Sequence, residues 1–360
     1  MKKLLLCIST YACCLTVYAL PSFDPFADAT AGGGSSYTVG ANLWGQTNAN
    51  LERWYGVGTT NTGAPVVLTN VALTMPAGLP ASTGNSVKLV NQIGPSGRFN
   101  IGAHTSGILF YSLAIRVDDL GTLIAANTNA HSGGAFSVGF NNSTGSDPGQ
   151  QNTPTTYGAT LYLGSSGGGY LFGIGRGTGS TNRFWETNAP RNLGDVAFVV
   201  ASYEFVAGNL NDNVRLWVNP NPSTFGGANY PTPDVFIDSV NLVSSDADIS
   251  TLNSFLLINR NAGSPAVMIV DELRLGTSWA DVTGGSSAVI IPSLGISTID
   301  PNTVQLAWRG DATGFTLQGT TQILGTNTPW ANLGGTATTS GTNFVQTDTI
   351  NGIKFYRLTK

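Results

Sequence analysis

The sequence predicts an all-β protein, a large antiparallel sandwich followed by a smaller one. Three observations carry this reading. Glycine is abundant at 46 of 360 residues, while only 10% of residues are charged, against about 25% in ordinary globular chains. Apolar residues come in short runs, many alternating with polar ones, between clusters of Gly, Pro, Asn and Ser. Beyond a short turn near Trp279-Ala280-Asp281, no stretch has the amphipathic repeat of a helix.

The chain opens with Met1-Lys2-Lys3, an apolar run from Leu4 to Val17, and small residues around Ala19. That is the pattern of a secretory signal peptide over residues 1–19, cleaved after Ala19. The run is too short to span a bilayer, and no later segment is long and apolar enough to do so. A lipoprotein reading at Cys13 has a poor lead-in in Thr10-Tyr11-Ala12. Cys7, Cys13 and Cys14, the only cysteines, all lie in this segment, so the mature chain has no disulfide, thiol nucleophile or thiolate metal site. The expected destination is secreted or extracellular, with the periplasm as the alternative. Loss of Lys2 and Lys3 takes the formal charge from −4 to −6. A chain of that charge is not expected to bind nucleic acid or an anionic membrane surface.

Along the mature chain, Phe23-Asp24-Pro25-Phe26 reads as a short edge strand or an extended segment laid on the core. Val66 to Leu68, Val71 to Leu73 and Val87 to Val90 are short strand candidates, and Gly107 to Asp118 and Ala135 to Phe140 are stronger ones. Asn141 to Tyr157 is polar and rich in Pro and Gly, as expected of a surface loop. Ala159–Leu163 and Tyr170–Gly177 form a hairpin across Gly164-Ser165-Ser166-Gly167-Gly168-Gly169. Glycines recur at period two from Gly173, leaving one strand face bare while Phe172 and Ile174 fill the other. Val196 to Val206 is apolar on both faces until its end, as in a buried strand. Ala266 to Val282 begins as an apolar run and then alternates. Period two puts Val267, Ile269, Leu273 and Leu275 on one face, with Asp271 among them, where a carboxylate is costly unless paired or bound. This is the expected central strand. Gly284-Gly285-Ser286-Ser287 resembles a linker, assigned to residues 285–294. Four short alternating strands follow in residues 295–360.

Val199-Val200-Ala201-Ser202-Tyr203-Glu204-Phe205, Asn211-Asp212-Asn213-Val214-Arg215-Leu216-Trp217 and Val270-Asp271-Glu272-Leu273-Arg274-Leu275-Gly276 through Val282 resemble the closing strands of a concanavalin A-like (laminin-G-like) jelly-roll domain, here residues 20–284. Such domains are common in secreted bacterial proteins. The tail, with Val304-Gln305-Leu306-Ala307-Trp308 and Phe355-Tyr356-Arg357-Leu358, is similar to small fibronectin-type-III-like sandwiches. The resemblance implies two curved sheets whose concave face or rim loops hold carbohydrate in lectins, hydrolases and lyases of the superfamily. Related surface proteins often end in an anchoring segment; Thr359-Lys360 follow a strand directly, so anchoring by that route is not expected.

No catalytic residue is assigned. A retaining glycosidase needs two carboxyl groups flanking the bond, and the clustered acids of the related glucanases are absent: Glu52, Glu186, Glu204 and Glu272 are far apart. Glu204 reads as a structural group at the end of its strand. Only His104 and His131 are present. Gly164-Ser165-Ser166-Gly167-Gly168 has the spacing of a nucleophile elbow but the context of a hairpin tip. Asn209 to Asn213 reads as an Asx-type turn. The resemblance points to one structural calcium, with Asp24 and Asp271 supplying oxygens; the preferred alternative is an Asp271 that pairs with arginine or caps backbone amides. Sugars stack on aromatic rings beside polar groups, which makes Tyr162, Tyr170, Arg176 and Trp185, around the bare-faced hairpin, the expected ligand-binding set. The competing reading is that the glycines make room for a bulky ring from a neighbouring strand. Trp217, Trp279 and Trp308 are assigned to cores. The expected function is non-catalytic binding of a polysaccharide or cell-surface glycan. The alternatives are a carbohydrate-active enzyme with an unfamiliar site and a purely structural surface protein.

Overall fold

A computed structural model describes residues 20–27, 37–48, 52–57, 66–68, 71–82, 84–91, 96–145, 154, 156–177, 182–242, 246–258, 262–284, 294–309, 315–324, 327–340, 343–350 and 352–359. The expected leader and residues 285–293 of the expected linker lie outside them. Strands β1 (Ser22–Asp24), β2 (Trp54–Val57), β3 (Val66–Leu68), β4 (Ser86–Val90), β5 (Ser96–His104) and β6 (Gly107–Asp119) open the large domain. A small ribbon of β7 (Ala126–Asn127) and β8 (Ser132–Gly133) follows, then β9 (Ala135–Asn141), β10 (Tyr157–Ser166), β11 (Gly169–Gly175) and β12 (Arg183–Trp185). Next come β13 (Val196–Phe205), β14 (Asn213–Val218), β15 (Val235–Ile237), β16 (Leu252–Leu257), β17 (Val267–Gly276) and one helix, α1 (Trp279–Thr283).

These strands form two antiparallel sheets packed face to face as a jelly-roll sandwich. One runs β15-β14-β13-β6-β17-β4-β3, with β1 also paired to β17; the other runs β12-β11-β10-β9-β16-β5-β2. The shared core takes Leu113, Ile115, Val199, Leu216, Val270 and Leu273 from the first sheet and Val138, Phe140, Leu161, Phe172 and Ile174 from the second. The outer face of the first sheet is itself covered: Phe110, Phe198 and Trp217 pack with Trp279 of α1 and with Met75, Phe225 and Tyr230. Helix α1 starts at a capping box in which Ser278 and Asp281 exchange bonds with each other's backbone. Among the described residues, no helix is long and apolar enough to cross a membrane.

A second, smaller antiparallel sandwich follows. One sheet runs through β18 (Gly295–Asp300), β19 (Thr303–Arg309), β23 (Asn343–Thr349) and β22 (Thr338–Ser340). The other runs through β21 (Ala331–Asn332), β20 (Thr316–Thr320) and β24 (Phe355–Thr359). Its core is Val304, Leu306, Trp308 and Leu317, so Trp217, Trp279 and Trp308 all lie in cores as expected.

Strand β17 is central, between β6 on one edge and β4 and β1 on the other. Its faces differ from simple alternation. A bulge lies between Asp271 and Arg274 in the pairing with β6, and Glu272 has φ 54°. The extra residue shifts the phase by one. Met268 and Val270 face the shared core before the bulge, and Leu273 and Leu275 face it after. Ile269 instead packs outside with Leu73 and Ala114, and Val267 packs against them. The expected common face of Val267, Ile269, Leu273 and Leu275 is therefore corrected. Residues 71–73 form no strand: the Leu73 amide goes to the Asp271 carboxylate and not to a ladder.

The hairpin of β10 and β11 pairs further toward its tip than expected, through Ser166 and Gly169. Gly167 and Gly168, with φ of 55° and 85°, make a two-residue turn of the type that needs positive φ at both positions.

Candidate functional site

Four neighbouring strands of the seven-stranded sheet, β11, β10, β9 and β16, meet at one end of the sandwich. Asn142 follows β9, Tyr157 opens β10, Gly177 lies just beyond β11, and residues 246–250 lead into β16. Together with Thr156 they line a cavity of about 260 Å³. The lining residues include Asp246, Asp248, Asn142, Ser250 and Thr156, with Tyr157 as the aromatic member.

The acidic wall is held from behind. Arg176, 1% exposed, donates from Nη2 to the Asp246 carbonyl and from Nη1 to the Asp212 carbonyl at 3.2 Å, and Nη1 lies 3.4 Å from Asp248 Oδ1. Asn182 donates to Asp246 Oδ2 at 2.9 Å. The amides of Asp212 and Asn211 donate to the Asp248 carboxylate at 3.2 and 3.3 Å. Below it, Tyr203 donates to Asp212 Oδ2 at 2.5 Å and accepts from the Ile249 amide at 3.0 Å. Burial raises the Asp212 carboxyl above its ordinary value against these hydrogen bonds, and the Asp248 charge adds to the rise. Burial and the Asp212 carboxylate push the Tyr203 phenol far up, so it stays protonated as a donor. A buried guanidinium thus fixes the loop that carries one buried acid, Asp246, and one half-buried acid, Asp248.

The expected ligand-binding residues do not form one exposed cluster. Tyr170 is fully buried on the inner face, edge-on to Phe172. Arg176 is the strut just described. Tyr162 and Trp185 do meet, with Leu171, on the outer face of the same sheet, but both are buried. The groove expected over the bare glycines is filled. A Cβ on Gly134, Gly164 or Gly173 would lie 2.3, 2.7 or 2.6 Å from the Trp185 ring, so the glycines admit that indole, whose Nε1 donates to the Ser132 carbonyl at 3.0 Å. Arg183 covers Tyr162 at 4.4 Å. Tyr162 continues through Phe136, at 6.1 Å, to Tyr157, at 4.8 Å from Phe136. The aromatic row thus ends at the cavity, which sequence reasoning missed. Its local signal was Asp246-Ala247-Asp248 beside a strand start.

The calcium residues do not fit a cation. Asp24 Oδ2 accepts from Tyr37 Oη and from Trp54 Nε1 at 2.8 Å, and Oδ1 accepts from the Phe26 amide at 3.0 Å. Asp271 Oδ2 accepts from the Leu73 amide at 3.0 Å and Ser82 Oγ at 2.8 Å, and Oδ1 accepts from the Glu272 amide at 2.8 Å. Each carboxylate is met by hydrogens where a cation would need open lone pairs. Burial raises Asp24 to about 6 and Asp271 to about 7, against these bonds. Amide capping, the preferred alternative for Asp271, is what the geometry displays. Among the described residues no cluster of three metal-ligating side chains occurs.

The glutamates are committed elsewhere. Glu186 takes a two-pronged contact from Arg191, Glu204 pairs with Arg215 at 2.7 Å, Glu272 pairs with Arg274 at 2.8 Å, and Glu52 accepts from Ser22 and Asn48 at 2.7 Å. Glu204 is the strand-end structural group expected. Burial opposes its charge, but Asn213 and Arg215 outweigh this and hold its carboxyl below the ordinary value. Ser165 sits near the hairpin tip and donates to the Leu123 carbonyl at 2.9 Å. Asp212 accepts the Val206 amide at 2.7 Å within the 209–213 turn.

No protein-family profile matches the chain, and no curated protein matches it. Solved structures do. The T. cruzi calreticulin globular domain matches at 10% identity and TM-score 0.37, over 62% of this chain and 84% of that one. The carbohydrate recognition domain of Emp47p matches at 9% identity and TM-score 0.31, over 62% and 95%. Domain 4 of AbnA, a GH43 extracellular arabinanase from Geobacillus stearothermophilus in complex with arabinotriose, matches at 14% identity and TM-score 0.32, over 65% and 86%. Likeness at this level carries no argument about what this chain binds.

Proposed function

We propose that the protein is an exported, non-catalytic glycan-binding module that holds a neutral sugar unit in the cavity at the end of β9, β10, β11 and β16. A fibronectin-type-III-like unit behind it acts as a spacer. The carrying observation is the cavity's lining, which brings together the polar residues Asp246, Asp248, Asn142 and Ser250 and the aromatic Tyr157 on a wall fixed by Arg176. Sugar sites combine a few placed polar groups with apolar surface.

The test is calorimetric titration of the full chain with neutral oligosaccharides built from arabinose, xylose and glucose. At least one should bind, and Asp248→Ala should weaken it about tenfold or more, the loss of one or two hydrogen bonds to a charged acceptor. Absence of any binder, or affinity unchanged in both Asp248→Ala and Tyr157→Ala, would overturn the proposal. Release of reducing ends from a bound oligosaccharide would replace it with an enzymatic reading.

A further inference from the structure

The small sandwich carries a second surface with ligand chemistry, independent of the cavity. In the β21-β20-β24 sheet, Asn332 stands opposite Gln318, and Gln318 stands opposite Arg357. The three side chains form a row: Gln318 Nε2 donates to Asn332 Oδ1 at 2.9 Å, and Arg357 Nε donates to Gln318 Oε1 at 2.8 Å. The guanidinium lies over the Trp330 ring at 4.4 Å. Tyr356 and Leu358 of β24 pack into the core, so by strand alternation Phe355 and Arg357 point outward, and Phe355 is exposed.

Arg357 is therefore held along one edge and one face, while its two terminal nitrogens make no hydrogen bond or ion pair among the described residues. The neighbouring Lys354, by contrast, pairs with Asp348 at 2.5 Å. An arginine fixed by stacking and one hydrogen bond loses little freedom on binding, and its free fork matches a carboxylate. The charge decides the occupant. A cation without a counter-anion, between an exposed phenylalanine and a stacked tryptophan, fits a chain of sugars bearing carboxylates.

We propose that this face binds a uronate polysaccharide, with Arg357 receiving the carboxylate and Phe355 and Trp330 lying against the sugar rings. The whole chain is net negative, so attraction to a polyanion must come from a local site and not from its overall field.

The test is retardation of the full chain in native gels containing polygalacturonate, with fully methyl-esterified polygalacturonate as the probe lacking the charge. The acid form should bind at least tenfold more tightly than the ester. Arg357→Gln should lose at least tenfold, and Arg357→Lys, which keeps the charge without the fork, should lose most of that. Trp330→Ala is the second variant, expected to lose several-fold, and melting curves establish that each variant is folded. The pocket variant Asp248→Ala should be retarded like the parent. Equal retardation by acid and ester, unchanged binding in Arg357→Gln and Trp330→Ala, or loss in Asp248→Ala instead, would each overturn the proposal. Failure of neutral oligosaccharides to bind the cavity would leave these readouts unaffected.

Discussion

Asp271 is the residue whose chemistry reaches furthest. Buried in β17, it ties down the 71–82 segment through Leu73 and Ser82, and its own strand through Glu272. Its folded pKa of about 7 lies above the ordinary carboxyl value of 3.8. A raised folded pKa means that the folded state binds a proton more readily than the unfolded chain. Stability then falls as pH rises from about 4 through about 7, by an amount on the order of 4 kcal/mol for this group. Asp24, raised to about 6, acts in the same direction. Melting temperature should therefore drop between pH 4.5 and pH 8, and Asp271→Asn should flatten that slope. The variant should also be destabilised by about 1–3 kcal/mol, because its Nδ2 would face a donor. A parent melting temperature that rises over this interval would contradict the assignment. That Asp271 needed a partner was legible, since it interrupts an apolar run. The partners were not, because Leu73 and Ser82 stand 198 and 189 residues away in sequence.

At the scale of the element, the bulge in β17 decides which leucines are inside. Glu272 occupies positive φ and pairs with Arg274, both nearly excluded from solvent. Glu272→Gly relieves the backbone but leaves Arg274 without its carboxylate, which should cost about 3–5 kcal/mol. Deleting Glu272 removes the same carboxylate but also closes the bulge, so that Leu273 falls opposite Leu113 and regular alternation keeps Met268, Val270, Leu273 and Leu275 on the core face. Both variants should therefore fold, each with a cooperative melt at a lowered temperature. A deletion variant without a cooperative melt would show that the bulge does more than set the phase of the strand. Period-two reading located the strand and its central place but missed the bulge, because one inserted residue leaves no local mark. The hairpin shows a similar limit. The bare glycine face was plain in the sequence, and Trp185, which fills it, lies 12 residues beyond Gly173 on a strand that pairs with it.

The whole molecule is two sandwiches with separate cores, Val304, Leu306, Trp308 and Leu317 forming their own cluster. We expect brief proteolysis to cut first between Gly284 and Leu294, where composition marks a linker, and to leave two resistant fragments. A first cut inside either set of strands would argue against this division. The architecture was legible from short alternating runs and turn residues, because each strand carries its own pattern. The cavity was not, because it is assembled from the ends of four strands, and no single stretch holds more than a fragment of it.

The pairing order has a consequence for how the chain reaches this state. β1, the first strand described, pairs with β17, and so does β6; β5 pairs with β16. β16 joins β9 to β5 and β17 joins β6 to β4, so neither sheet is connected across until residues 252–276 are present. Hairpins such as β10–β11 and β13–β14 are local, but the pairings that join each sheet together span much of the sequence, so contact order is high and completion of the fold is a slow, late and collective event.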